Sequence, residues 1–405
     1  MIPPLAASRE SAKPQAAQLL HPLTMPRALA VIVLAQLFGT SLWFSGNSAA
    51  AELARLWDLG EAERALLLTA VQLGFIVGTF SIALSGLADA FPASRIFAIA
   101  ALLGAAANAG FALLSRGLID AVVLRFVTGL ALAGIYPLGM KLIVTWAPNR
   151  GGAALGWLVG ALTLGTASPL LIRGLGQSWP WQQVVLTASG LALLAAVLVG
   201  CLGDGPAQPK PLPPKWGAVG GVFRIPAFRA SALGYFGHMW ELYAFWYLVP
   251  KLTQRVLGAD RPLAAFAVIA IGAIGCVVGG VIAQRRGSKV EAAVALVVSG
   301  AMCVVFPMLD HLSVEVKMAV LLIWGVTVVA DSPQFSALSA KACPPETVGA
   351  ALAVQNAIGF LITVFAIQLC AWQWPDLGPR TAWLLAPGPV LGLIGLLATG
   401  RVRRV

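Results

Sequence analysis

The sequence predicts an all-α polytopic membrane protein, with twelve transmembrane helices in two parallel six-helix repeats around a central cavity. Three observations carry this prediction. Apolar stretches near the ~20 residues that cross a bilayer as helix recur along the whole chain. Of 405 residues, 59% are hydrophobic and 11% charged, against roughly 25% charged in soluble domains, and mean hydropathy is +0.85. Such a composition cannot cover a water-facing surface, which excludes a soluble enzyme, a disordered chain and a disulfide scaffold. Third, the chain repeats itself. Gly39 pairs with Gly234, Ser85 with Gly280 and Trp179-Pro180 with Trp374-Pro375, each 195 residues apart, and Pro137 and Gly152-Ala-Ala-Leu155 recur at Pro333 and Gly349-Ala-Ala-Leu352.

Taken in order, residues 1–26 carry Pro3, Pro4, Pro14 and Pro22 and lack the charged-then-apolar order of a cleavable signal. They are expected to form a cytoplasmic tail. Apolar spans follow at 27–49, 64–87, 95–115, 119–143, 151–174 and 180–202, placing a first six-helix bundle in 27–203. Residues 204–229 hold the proline run PKPLPPK and are expected to be an extended cytoplasmic linker. A second bundle and a short basic tail occupy 230–405, with spans at 230–250, 262–284, 290–309, 316–338, 347–371 and 380–400. Backbone groups in lipid must satisfy one another, so each span is a helix. An even number of helices per repeat gives both repeats the same orientation, and such repeats place a substrate site between the halves near the midplane.

The net charge of +11 is scattered through connections rather than gathered on one face, so nucleic acid is not an expected partner. Most Lys and Arg fall in the tails and even-numbered connections, including Lys210, Lys215, Arg285, Arg286 and Arg403. By the positive-inside bias both termini are cytoplasmic, in a multi-pass protein of the inner (plasma) membrane. Five separated cysteines, Cys201, Cys276, Cys303, Cys343 and Cys370, and three histidines show no metal-ligand spacing. No Gly-Lys-Ser/Thr phosphate loop is present, so ATP does not drive the protein, and no cofactor is expected. An enzyme would need a nucleophile–base pair or metal cluster, and neither is apparent.

The connection after the second helix of each half resembles the major facilitator superfamily loop G-x-x-x-D-[RK]-x-G-[RK]-[RK]. The second copy reads Gly280-Val-Ile-Ala-Gln284-Arg285-Arg286-Gly287-Ser-Lys289, with Gln284 in place of the acid. The first, Ser85-Gly-Leu-Ala-Asp89 to Arg95, keeps the acid but loses the leading Gly and the adjacent base. The fourth span resembles the family's R-x-x-x-G motif at Arg125-Phe-Val-Thr-Gly129. The resemblance covers about residues 27–400. It implies alternating access of two bundles, gating by the loops holding Asp89, Arg95, Gly280, Gln284, Arg285 and Gly287, and a cavity lined by helices one, four, seven and ten. A G-x-x-x-G-P-x-x-G-G antiporter motif is absent from the fifth span, which removes the best support for drug–proton antiport.

Charged residues inside spans are costly and usually face protein or water. Arg125, His238, Glu241 and Asp331 all fall on helices that the resemblance assigns to the cavity. His238 and Glu241, three apart, are expected to share one helix face. Trp43 and Asn47 as an i,i+4 pair, Tyr136, Trp240 and Tyr243 join them as cavity candidates, and the tenth helix should loosen at Ser332-Pro333. The competing reading makes the charges a structural network, with Arg125 at the interface or paired to an acid. The expected function is proton-coupled secondary transport of a small solute. Arg125 hints at an organic anion, while Glu241 and Asp331 permit a cation or zwitterion. Glu241, tuned by His238, is the expected proton-responsive group, with Asp331 its rival. A facilitated uniporter, a drug-type efflux pump and a transport-dead sensor are the alternatives. Solute, protons and the lipid bilayer are the expected partners of a monomer.

Overall fold

A computed structural model describes residues 25–147, 151–176, 178–207, 220–344 and 347–398. The expected tail therefore lies almost wholly outside the described residues, as does the proline run of the linker. The described residues are helical throughout, and twelve passes result when each interrupted helix is taken once. The first six are α1 (Met25–Thr40, resuming as Ser45–Ser48 and Ala50–Trp57), α2 (Glu61–Ser85), α3 (Ala93–Leu114), α4 (Leu118–Trp146), α5 (Gly151–Leu175) and α6 (Trp181–Leu202). The second six are α7 (Pro226–Leu257), α8 (Pro262–Ala270 and Gly272–Arg286), α9 (Ser288–Val305), α10 (Val314–Ala330 and Ser332–Ala342), α11 (Val348–Leu377) and α12 (a 3-10 stretch Gly378–Leu385, then Pro387–Ala398).

Large apolar side chains such as Leu103, Leu194, Ile274, Phe365 and Leu391 are exposed around the bundle. In water this would be a liability; in a bilayer it is the lipid-facing surface. Helix–helix association in lipid gains little from hydrophobicity and relies on close contact of small residues. Both halves use it in the same way. A Cβ on Gly74 of α2 would fall on the Phe126 carbonyl, and one on Gly129 of α4 on the Val71 carbonyl. In the second half Gly275 of α8 meets the Val326 carbonyl and Gly325 of α10 the Val268 carbonyl. Thus α2–α4 and α8–α10 each cross backbone against backbone.

Helix ends are set locally. The backbone N–H of Gly60 donates to Glu63 Oε2 at 2.7 Å, opening α2. Asp204, just past α6, accepts from the N–H groups of Ala93 and Ser94 at 3.0 and 2.7 Å, capping α3 with a carboxylate where the helix dipole favours it. The start of the expected linker is therefore packed structure: Trp146 Nε1 donates to the Gly203 carbonyl and the Ala207 N–H to that of Thr145.

The halves meet along two seams, α2 against α11 and α5 against α8. Met25 and Ala398 lie at one end of the bundle, called here the terminal end, because twelve passes return the chain to its starting side. At the opposite, far end, Lys251 of α7 pairs with Glu61 of α2, and Tyr247 donates to the same carboxylate at 3.2 Å. Arg173 of α5 stands 3.6 Å from Asp260, and Gln368 of α11 donates to Thr69 of α2 at 3.1 Å.

Candidate solute cavity

The centre of the molecule is organised by a break in α1. After Thr40 the helix unwinds over Ser41–Phe44. Thr40, Ser41 and Ser45 hydroxyls donate back to the carbonyls of Gln36, Phe38 and Leu42 at 2.8, 2.7 and 2.9 Å. Such back-bonding competes with the helix ladder and bends it. The freed carbonyls point at Arg125. Its Nη1 donates to Leu42 O (3.0 Å), Ser45 Oγ (3.0 Å) and Asn108 Oδ1 (2.9 Å), and its Nη2 to Trp43 O. The guanidinium is wholly buried and lies over the Phe111 ring. Asn108 is held in turn by donating to Val185 O and Ser189 Oγ, both at 3.0 Å.

The break throws Trp43 to the boundary between the halves. Its indole packs on Phe75 of its own half, at 5.0 Å between centroids, and on Tyr243 and Phe360 of the other, both at 5.6 Å. Phe75 and Phe360 are 4.4 Å apart. These four rings form a plug across the interface.

On the terminal side of the plug lies a cavity of about 20 Å³, room for about one water. Its wall comes from both halves. Tyr136, Val159 and Leu162 belong to the first; Tyr235, Met239, Leu242, Tyr243, Val329, Ser332, Ser336, Asn356 and Phe360 to the second. The chain has four tyrosines, and three of them line this cavity.

Behind the wall, His238 Nδ1 of α7 stands 2.8 Å from Asp331 Oδ1, both residues about 1% exposed. Asp331 is the joint between the two segments of α10, and the next residue, Ser332, lines the cavity. Glu241 points elsewhere, into the second half. There it accepts from Ser299 Oγ (2.8 Å), Cys303 Sγ (3.2 Å) and Trp324 Nε1 (2.6 Å).

Residues 29–367 match the family model described as Major Facilitator Superfamily. The chain belongs to the major facilitator superfamily. Among solved structures, it is similar to a bacterial homolog of the human lysosomal transporter Spinster in an inward-facing and unoccupied conformation. That likeness has TM-score 0.65 at 16% identity, covering 93% of this chain and 95% of that one. It is also similar to the superfamily's proton:xylose symporter XylE bound to 6-bromo-6-deoxy-D-glucose, with TM-score 0.73 at 14% identity, covering 92% and 95%. No curated protein matches the chain by sequence.

Within this superfamily fold, the expected site residues separate. Tyr136 and Tyr243 line the cavity, and Trp43 roofs it through the plug. Trp43 and Asn47 are not an i,i+4 pair, because the α1 break lies between them and Asn47 does not line the cavity. Trp240 faces the other way and donates to Leu384 O at 2.9 Å. Arg125 is neither at the lipid interface nor on the cavity wall, and the carbonyls of α1, not an acid, hold it. His238 serves Asp331 rather than Glu241, since the packed neighbour and not the i+3 position decides its partner.

In the loop motifs, the side chain of Asp89 lies outside the described residues; its backbone belongs to the turn Leu87–Ala90, where Lys141 donates to Ala88 O. Arg95, Gln284 and Arg285 are exposed, and Gly287 takes φ +89° between α8 and α9. In the second loop the close helix approach is made not by Gly280 but by its neighbour. A Cβ on Gly280 would meet nothing, whereas one on Gly279 would stand 2.5 Å from Glu291 Oε1 and 3.2 Å from Ala330 O. Sequence reasoning missed Asn108, Tyr235, Asn356, Glu291 and the α1 break. Tyr235 had a signal, lying one turn before His238 on its helix.

Proposed function

We propose that this superfamily member is a proton-coupled secondary transporter of a small solute, working by alternating access of its two bundles. One observation carries the reading: the buried His238–Asp331 pair sits at the joint of α10, beside the cavity serines that follow it. An acid at bilayer depth persists mainly when paired or functional. A proton on Asp331 removes its attraction for His238 and frees the Ser332–Ala342 segment to move against α7. Solute and proton then bias the same element, as coupling requires.

With both termini on the cytoplasmic face of the inner membrane, the far end is external. The aromatic plug and the Glu61–Lys251 bridge close it, and the cavity belongs to a cytoplasm-directed state. The loops carrying Asp89 and Gln284 lie on the cytoplasmic face, where they gate rather than bind. Glu241, held by three donors inside one half, serves packing of α7 on α9 and α10, so the proton role passes to Asp331.

The test is transport in proteoliposomes by Asp331→Asn. The expected result is loss of pH-gradient-driven accumulation with retained solute counterflow. Normal gradient-driven accumulation by Asp331→Asn refutes the assignment, and accumulation indifferent to the gradient in the unmutated protein points to a uniporter.

A further inference from the structure

The sequence hinted at an organic anion through Arg125, and the geometry removes that support. The guanidinium donates to two main-chain carbonyls, Ser45 and Asn108, with no exposure to the cavity. The other charges near the centre also stay off the cavity wall. His238 and Asp331 face each other, and Glu241 is turned into the second half. No charged side chain lines the cavity.

The wall offers uncharged groups that both donate and accept. Among the described residues, the hydroxyls of Tyr136, Tyr235 and Tyr243 and the amide of Asn356 have no protein hydrogen-bond partner, and all four residues border the cavity. The contrast is Tyr247, the tyrosine outside the cavity, whose hydroxyl is bonded to Glu61. Buried polar groups in folded proteins are paired in the great majority. Four unspent groups converging from both halves on one space are complementary to something that space admits. Phe360 and Tyr243, backed by Trp43, add flat apolar surface.

From this lining we infer that the transported solute is uncharged: a compound presenting hydroxyl or carbonyl groups beside apolar surface, larger than the single water this closed state has room for, so that the bundles part to admit it. A carboxylate, phosphate or ammonium group entering here would leave water and find no counter-charge, which is far more costly than burying a hydroxyl with partners. The inference rests on the coupling reading in one respect: if the proton rides on Asp331, the solute need carry no charge.

The test uses full-length purified protein in lipid nanodiscs and thermal stabilisation by matched compounds. The probes are D-glucose, adenosine and benzyl alcohol as uncharged scaffolds. Each is set against charged derivatives: D-glucuronate and D-glucosamine, adenosine monophosphate, and benzoate and benzylamine. Stabilisation by at least one uncharged member, and not by its charged derivatives, is expected. Tyr136→Phe and Tyr235→Phe, which keep the ring and remove only the hydroxyl, should each weaken that binding about tenfold. Stabilisation confined to charged members, or by no uncharged one, overturns the inference, as does binding unchanged in both Phe variants. The two readings fail separately. A charged solute accumulated under a pH gradient sinks the solute class and leaves coupling standing. An uncharged ligand that binds but never responds to the gradient sinks coupling and leaves the class standing.

Discussion

Replacing Arg125 distinguishes a staple from a binding residue. In Arg125→Ala the Trp43 carbonyl loses its donor, and the single hydroxyl hydrogen of Ser45 can serve only one of Leu42 O and Asn108 Oδ1, in a site without solvent access. A buried polar group left unpaired costs about 1–3 kcal/mol. Two acceptors left unpaired therefore imply about 2–6 kcal/mol, less whatever a water entering the vacated space restores. The loss should fall on the α1 break, so Trp43 should leave the aromatic plug. Arg125→Lys, with one ammonium in place of a fork, cannot span all four acceptors and should recover only part of the loss. The assay is thermal unfolding in detergent monitored by size-exclusion fluorescence, alongside solute binding. Clear destabilisation in Arg125→Ala, intermediate in Arg125→Lys, is expected, with binding by the surviving folded fraction reduced secondarily. Unchanged stability with binding abolished would refute the staple and return Arg125 to the solute.

Three further predictions follow the same logic. Gly74→Ala puts a methyl group onto the Phe126 carbonyl at a backbone crossing; overpacking of this kind costs about 1–3 kcal/mol, read as lowered thermal stability, whereas Gly280→Ala, with open space around it, should be nearly silent. Lys251→Gln breaks the partly exposed bridge to Glu61, worth about 1 kcal/mol at most, so far-end accessibility to a thiol label on an engineered cysteine should rise up to about fivefold; unchanged labelling would show that the plug alone holds that end. Splitting the chain near Lys210 should leave two co-expressed bundles that assemble and transport, and assembled but inert halves would give the linker a role beyond joining.

The membrane class, the number of passes and the duplication were legible in the sequence because a bilayer's thickness sets the length of every span, and length is a local property. The loosening at Ser332-Pro333 was legible for the same reason, since proline acts on its own turn; α10 is indeed interrupted there, at Asp331. The break in α1 was not. Ser41–Phe44 continues the apolar run, and beyond the local back-bonding of Thr40, Ser41 and Ser45 the open turn is held by Arg125, 80 or more residues away in sequence, which supplies donors to its carbonyls. The direction of each polar side chain was equally hidden. His238, Trp240, Glu241 and Tyr243 lie within six residues of one helix, yet one meets α10, one α12, one the inside of its bundle and one the cavity. Sequence spacing gives their relative angles around α7. The rotation of α7 within the bundle, which decides what each of them touches, is set by packing such as Gly237 against Gly388 and Gly392, a contact between distant segments that exists only in the folded protein.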